Sequence, residues 1–304
     1  VIVDLGRPDR MLNVLRHPNF RSPLLWDVCS ISVYLTASSI YLYLPLIPDI
    51  AMLRDYGGKY TWFYRILALG WSGTDRQRRI LHRAISVMAV LVIPIAISVH
   101  TVVSWVFGMT VQPMWHSTIF GPYFVVGAIF SGIASLIIAM ALIRRIYFLQ
   151  DYLKPVHFNN LGLLLLVMAL LWFYFTFAEH LTTFYGNEPA HLIVFYSKLT
   201  GPYAPLFWSM VVTCFVIPVA LLSRARTRTV TGTVIASISV NIGMWLERFT
   251  IVVPTLSQPR LPWAKSAYSA TWVEIGMTLG FGATFIFLYM LFTKFFPIVS
   301  IWEV

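Results

Sequence analysis

The sequence has very little charge. Only 11% of its 304 residues are Asp, Glu, Lys or Arg, whereas 58% are hydrophobic. A soluble domain carries about 25% charged residues, so the composition excludes an ordinary soluble protein. Several apolar runs are about 20 residues long, which is the length that a helix needs to cross a bilayer. The composition therefore predicts an all-α, polytopic transmembrane helix bundle.

Cysteine is also scarce. The chain has two, Cys29 and Cys214, and both lie inside apolar runs without a second cysteine at metal-ligand spacing. We therefore expect no disulfide framework, no iron–sulfur cluster and no thiolate zinc site within this chain, and no metal site is predicted.

Acidic residues are few, with 12 Asp and Glu against 22 Lys and Arg, and the formal net charge is +10. Most of the excess basic residues lie in loops beside the apolar runs, where positive charge sets the orientation of membrane helices. Lipid is therefore the expected surrounding, and nucleic acid is not expected as a partner.

Seven membrane spans are predicted, all within a single transmembrane domain over residues 1–304. Every backbone donor in lipid must be satisfied locally, so each span should be a helix. The stretch at 60–71 is too short to cross and is predicted to lie at the interface. The spans lie near residues 24–48, 84–107, 122–143, 159–183, 202–222, 230–253 and 270–293.

The distribution of basic residues predicts the orientation of these spans. Loops on the side of residues 49–83 carry 14 Lys and Arg, against 7 on the other side, so the 49–83 segment is placed inside. Arginines at the N-terminus argue the other way, and the remaining loops outweigh them.

Polar side chains within the spans gather towards the predicted outer face. Ionisable groups in a bilayer are costly and often functional, although each one alone is also explained as an interfacial or paired residue. Together they predict a polar pocket near the outer surface. The residues are Asp27, His100, Glu179, His180, Asn241, Glu247 and Arg248. Asp49 and His82 lie at the inner boundary and are candidates for proton uptake.

The strongest chemical candidate is the pair Glu179–His180. Helical spacing places both beside Thr176 and Thr183 on neighbouring parts of one face. A carboxylate and an imidazole facing a cavity are suited to take two protons from a hydroquinone. His100 is a second candidate for a hydrogen bond to a quinone, and its alternative role is a bond between helices.

The other polar residues are less specific. Glu247 and Arg248 are adjacent, so we expect them to point in different directions, with Arg248 neutralising an acid on another helix. His116 lies in an aromatic loop, and it is expected to face the pocket or an outside partner, unless the loop is only an interfacial aromatic belt. No helix carries the paired histidines of a two-haem bundle, so no haem is expected.

Two motifs near the N-terminus resemble a known family. "DLGRPDR" at 4–10, followed by "NFRSPLLWD" at 19–27, is similar to the hallmark of the NrfD/PsrC family, the haem-free membrane subunits of respiratory oxidoreductases. "WHSTIFGPYFVVGAIFSG" at 115–132 resembles more specifically the membrane subunits (ActC/ActF type) of bacterial alternative complex III. The resemblance covers nearly the whole chain in the order of its spans.

The resemblance implies a function for the predicted pocket. Such a subunit binds menaquinol or ubiquinol near the outer face and passes electrons to an iron–sulfur partner docked there, without a redox centre of its own. Asp4 would lie beside the quinone, and the partner would dock on Arg7, Arg10, Arg16 and Arg21. A molybdoenzyme-like subunit, cytochrome subunits and a paralogous membrane subunit are further expected partners, in a bacterial cytoplasmic membrane.

Family members usually have eight or ten spans, whereas this chain shows seven and the end of a preceding helix. We therefore expect the sequence to be N-terminally incomplete, with further site residues on the preceding helices.

Four functions remain open at this point. The first is quinol oxidation within alternative complex III, with proton translocation as an added expectation. The second is a paralogous membrane anchor without catalytic activity, and the third is the membrane subunit of a molybdoenzyme such as polysulfide reductase. A secondary transporter is the fourth, and it is disfavoured because the polar residues lie away from the midplane.

Overall fold

The computed structural model of the chain describes residues 8–10, 12–58, 60–258, 268–297 and 301. Within those ranges all regular secondary structure is helical, which confirms the all-α prediction. Asp4 and Arg7 lie outside the described residues, so the positions predicted for them stay predictions.

Eleven α-helices follow one another in the described ranges, after a 3₁₀ turn at Pro8–Arg10. The short ones precede, connect or interrupt the long ones. In chain order they are α1 (Asn13–Arg16), α2 (Pro23–Tyr56), α3 (Thr61–Leu67), α4 (Asp75–Gly108), α5 (Phe120–Ile146), α6 (Pro155–Gly186), α7 (Pro189–Leu199), α8 (Ala204–Val211), α9 (Ile217–Leu222), α10 (Val230–Leu256) and α11 (Trp272–Phe295).

Seven helical stretches are long and apolar enough to cross a membrane, as predicted: α2, α4, α5, α6, α8 to α9, α10 and α11. The chain is thus a multi-pass membrane protein. Helices α2 and α4 each have 34 residues and extend beyond their predicted bounds, because polar residues continue the helix past the apolar run. The predicted orientation of these helices stays a prediction.

Contacts divide the chain into two compact units, residues 1–99 with 269–304 and residues 100–268. In the first unit, α2 packs against α3 around Ile50, Ala51 and Ala68. Asp49 on α2 is fully buried, and its carboxylate accepts a hydrogen bond from the backbone N–H of Ile301 at 3.1–3.2 Å. The prediction of one domain over 1–304 stays a prediction.

The second unit has its core between α5, α6, α8, α9 and α10. Phe130 stacks against Trp172 at a centroid distance of 6.4 Å, and both are fully buried. Small residues allow the close approach of helices that membrane bundles depend on. At Gly243, an added Cβ would lie only 2.4 Å from the Sγ atom of Cys214.

A π-helical turn at Val212–Val216 interrupts the fifth span between α8 and α9. Pro218 follows it, and proline has no N–H with which to donate to the carbonyl four residues earlier, at Cys214. The proline therefore removes one hydrogen bond from the α-helical ladder, and the wider π turn lies immediately before it.

Candidate functional site

The carboxylate of Glu179 is the centre of the site. Glu179 is on α6 and only 5% exposed, and its Oε2 accepts a hydrogen bond from the Ser117 hydroxyl at 2.5 Å. Ser117 belongs to the loop between α4 and α5. A hydrogen bond from Trp115 Nε1 to the carbonyl oxygen of Ile251, at 2.9 Å, connects this loop to α10. A loop and two helices thus hold one buried acid in place.

The imidazole of His180 is oriented by its own helix. Its Nδ1 lies 2.7 Å from the backbone carbonyl oxygen of Thr176. A carbonyl only accepts hydrogen bonds, so Nδ1 carries the hydrogen and Nε2 of the neutral ring carries the lone pair. This Nε2 is buried without a hydrogen-bond partner among the described residues. His180 therefore presents an unused proton acceptor.

Lys198 is the site residue that sequence reasoning missed. It lies on α7 and is only 6% exposed, although its place between two predicted spans is typical of a loop charge. Burial lowers the pKa of its ammonium group to about 8, and Glu179 opposes that shift. Its position three and four residues after Phe195 and Val194, both buried, is the helical signal that would have found it.

An enclosed cavity joins these three side chains. Glu179, His180 and Lys198 all line it, and the volume open to the centre of a water molecule is about 20 Å³. One water needs about 10–15 Å³ by that measure, so the cavity has room for about one. A water there would lie among the carboxylate, imidazole and ammonium side chains that line the cavity.

An apolar groove lies on the other side of His180. Its volume is about 330 Å³, and aromatic side chains dominate its lining, with His180 and Thr176 as polar members. His180 and Phe207 line both the groove and the enclosed cavity. A flat apolar ligand in the groove would therefore contact the side chain of His180. The aromatic lining residues are Phe173, Phe177, Phe184, Phe195, Phe207 and Trp208.

Replacing Lys198 with methionine should remove a pH dependence of stability. The folded pKa of about 8 lies below the usual 10.5, so between these values the unfolded chain holds a proton that the folded chain has lost. Wild-type stability should rise across this window as pH increases, by about 2 kcal/mol from about pH 7 to about pH 9.5. Thermal unfolding of the purified protein at both pH values measures the rise. Lys154→Met, at an exposed position, is the control and should show the same rise in stability with pH as the wild type. If Lys198→Met also showed that rise, the pH dependence would not come from Lys198.

A second open space borders Glu179 from the side of the loop. It has a volume of about 210 Å³, and Glu179, Ser117, His116, Glu188 and His191 are among its lining residues. The structure therefore places His116 beside Glu179, which is one of the positions that the sequence left open. Among the described residues, no group of three or more His, Cys, Asp or Glu is arranged to hold a metal ion.

The predicted separation of Glu247 and Arg248 is wrong. Arg248 Nε lies 3.7 Å from Glu247 Oε2, because two long side chains can bend together although their Cβ atoms point apart. Glu247 is 1% exposed and accepts a hydrogen bond from Trp172 Nε1 at 2.5 Å. The Arg248 guanidinium lies over the Phe124 ring, 4.4 Å from its centroid. Arg248 thus pairs within its own helix.

His100 and Asn241 were also predicted to belong to the pocket, but neither lines the cavities described above. His100 is half-buried on α4, and Asn241 donates a hydrogen bond to the Ser135 hydroxyl at 3.2 Å, which links α10 to α5. Their predicted roles in quinol binding stay predictions.

The remaining candidates belong to the first unit. Asp27 on α2 has one buried carboxylate oxygen without a hydrogen-bond partner among the described residues, and His82 on α4 is exposed. Arg10, Arg16 and Arg21 are also exposed, as a docking surface requires. The predicted roles of these residues in proton uptake and partner docking stay predictions.

Comparison with known proteins identifies the family. The family described as polysulphide reductase, NrfD, matches residues 1–259. This chain belongs to the NrfD family.

Two relatives of this NrfD chain are described as parts of reductases. The membrane subunit of a dimethyl sulfoxide reductase from Halobacterium salinarum is 26% identical over 302 residues, covering 92% of the chain and 66% of that protein. A selenate reductase subunit from Mesobacillus selenatarsenatis is 23% identical over 281 residues, covering 89% and 65%. The NrfD chain therefore spans just under two thirds of the length of these relatives.

Proposed function

We propose that this chain is the quinol-oxidising membrane subunit of a reductase complex in a bacterial cytoplasmic membrane. The observation that carries the proposal is His180, whose Nε2 has no hydrogen-bond partner among the described residues and whose side chain lines both an aromatic groove and the cavity of Glu179 and Lys198. Membership of the NrfD family and the two reductase relatives support the same proposal.

The groove suits the ring of menaquinol or ubiquinol. A quinol ring is a flat apolar plate with a hydroxyl group at each end, and the groove offers aromatic walls with the His180 side chain at one side. Aromatic side chains pack well against such a plate. Its volume of about 330 Å³ falls within the range of small-molecule sites, about 300–1,000 Å³.

The proposed reaction is balanced by two bases and an electron acceptor. One quinol O–H bond breaks as its proton forms an N–H bond at His180 Nε2. The proton of the second hydroxyl passes through the water of the enclosed cavity to the Glu179 carboxylate. The two electrons leave to oxidised iron–sulfur clusters of a partner subunit, and the quinol becomes a quinone. The nearby ammonium group of Lys198 stabilises the negative charge that develops as protons leave.

We propose a molybdenum-containing reductase as the partner enzyme. The names of the two relatives favour a subunit that feeds electrons to the reduction of an S-oxide or an oxyanion. Alternative complex III, with a cytochrome or similar carrier as the acceptor, is the second candidate, and the stretch at 115–132 favours it. If the chain were a membrane anchor without quinol chemistry, the buried proton acceptor Nε2 of His180 would have no explanation.

The proposal is tested on the complex that contains this chain, purified from membranes. We expect it to oxidise menaquinol or ubiquinol analogues, with selenate or dimethyl sulfoxide as the terminal acceptor. A photoreactive quinone should label the groove residues between 173 and 211. Transfer to a cytochrome alone would support the alternative complex III assignment, and a complex that oxidises no quinol would overturn the proposal.

A further inference from the structure

Glu179 separates two spaces with different openness to water. On one side is the enclosed cavity with His180 and Lys198, and on the other is the larger space with His116 and His191. Among the described lining residues, Glu179 is the ionisable side chain common to both. A proton that arrives at Glu179 from the enclosed side can therefore leave on the other.

Two histidines stand in the larger space. The rings of His116 and His191 meet edge to face, with their centroids 4.8 Å apart. His116 Nδ1 lies 3.2 Å from the carbonyl oxygen of Gln112, so Nε2 of the neutral ring carries the lone pair. His191 Nε2 lies 3.6 Å from the Glu188 carboxylate. The His116 ring is thus oriented by a hydrogen bond, whereas the His191 ring lies within ion-pair distance of Glu188.

The surroundings of the pair favour release of a proton. Partial burial lowers the pKa of His191, and the neighbouring His116 lowers it further, while Glu188 opposes both. The two rings repel each other when both are charged. Glu179 and Glu188 are the carboxylates that face them, and Lys198 faces Glu179 from the enclosed side. A proton that reaches His191 is therefore released more readily than from a free imidazole.

We propose that His116 and His191 form the route by which protons leave Glu179 for the aqueous phase. This inference rests on the proposed function, since it assigns the path of protons that quinol oxidation delivers to Glu179. In the transfer, the O–H bond of the Glu179 carboxylic acid breaks and an N–H bond forms on an imidazole, directly or through one water. The imidazolium then passes the proton to water, and no oxidant or reductant is consumed.

The test compares His116→Gln, His191→Gln and the double variant in the purified complex. Quinol oxidation by the double variant should fall about a hundredfold, the lower end of the effect of removing a general base, while KM for the quinol is unchanged. Added imidazole should restore most of the rate, because a diffusible base can take the proton from Glu179. His157→Gln, at an exposed position early in α6, is the matched control. Its rate of quinol oxidation should equal that of the wild type, and added imidazole should not change it.

Two results would overturn the inference: a wild-type rate in the double variant, or a reduced rate that imidazole does not restore. If the double variant does not assemble, the rate of quinol oxidation by His191→Gln, with and without imidazole, tests the inference instead. The proposed function is judged separately by His180→Gln. If His180→Gln loses activity while the double variant keeps the wild-type rate, the proton route through His116 and His191 is rejected and the proposed function is retained.

Discussion

The substitution His180→Gln should lower kcat for quinol oxidation by about a hundredfold, within the range of general-base catalysis. Glutamine has a similar size, and its amide can still donate to the carbonyl of Thr176. It has no basic nitrogen to take the quinol proton at the position of Nε2. The ring of the substrate would still enter the groove, so KM should change little. Steady-state kinetics of the purified complex with a water-soluble quinol analogue measures both constants.

His157→Gln is the control for His180→Gln, because it makes the same chemical change near the start of the same helix, at an exposed position. Its kcat should equal that of the wild type. An equal polypeptide composition of the two purified complexes separates loss of catalysis from loss of assembly. A His180→Gln complex that oxidises quinol at the wild-type rate would show that another group takes the proton.

Much of the helical framework could be predicted from the sequence, because the bilayer restricts what an apolar run can do. Each predicted span corresponds to a helix in the structure, since backbone donors in lipid must be satisfied within the same segment. The sequence also placed Thr176, Glu179, His180 and Thr183 on neighbouring parts of one face of α6; His180 is half-buried and the other three are buried. Helical periodicity alone fixes these positions once the helix is known.

Contacts between distant segments could not be predicted in the same way. The bond from Ser117 to Glu179 joins residues 62 apart in sequence, and no local pattern encodes that pairing. Lys198 was missed because a basic residue between spans is normally an exposed topology signal. Here α7 is a separate helix of eleven residues that packs into the bundle, so the same residue becomes buried.

Local rules also failed where long side chains or proline changed the geometry. The prediction for Glu247 and Arg248 used only the directions of their Cβ atoms, whereas their charged groups lie several bonds further out. The π turn before Pro218 needed knowledge of how the chain accommodates a missing N–H donor. In both cases the three-dimensional structure determined the contacts.

Glu247→Ala should destabilise the second unit by about 1–3 kcal/mol, the usual cost of leaving a buried donor without its acceptor. It leaves the fully buried Trp172 N–H without the acceptor it now has at 2.5 Å. It also removes the carboxylate oxygen that lies 3.7 Å from Nε of Arg248, whose side chain is 39% exposed and whose Nη1 has no hydrogen-bond partner among the described residues. Thermal unfolding of the purified complex measures the loss.

Two variants define what the Glu247 carboxylate contributes. Glu247→Gln retains an oxygen that accepts from Trp172 Nε1 and removes only the charge, so its loss of stability should be the smaller of the two. Asp151→Ala, at an exposed position of the same unit, should be nearly neutral, because an exposed charge contributes about 0–1 kcal/mol. Equal losses for Glu247→Gln and Glu247→Ala would mean that the charge opposite Arg248, rather than the hydrogen bond to Trp172, holds α10 against its neighbours. A wild-type unfolding temperature for Glu247→Ala would contradict both contributions, because neither a buried N–H nor an uncompensated guanidinium can lose its partner without cost.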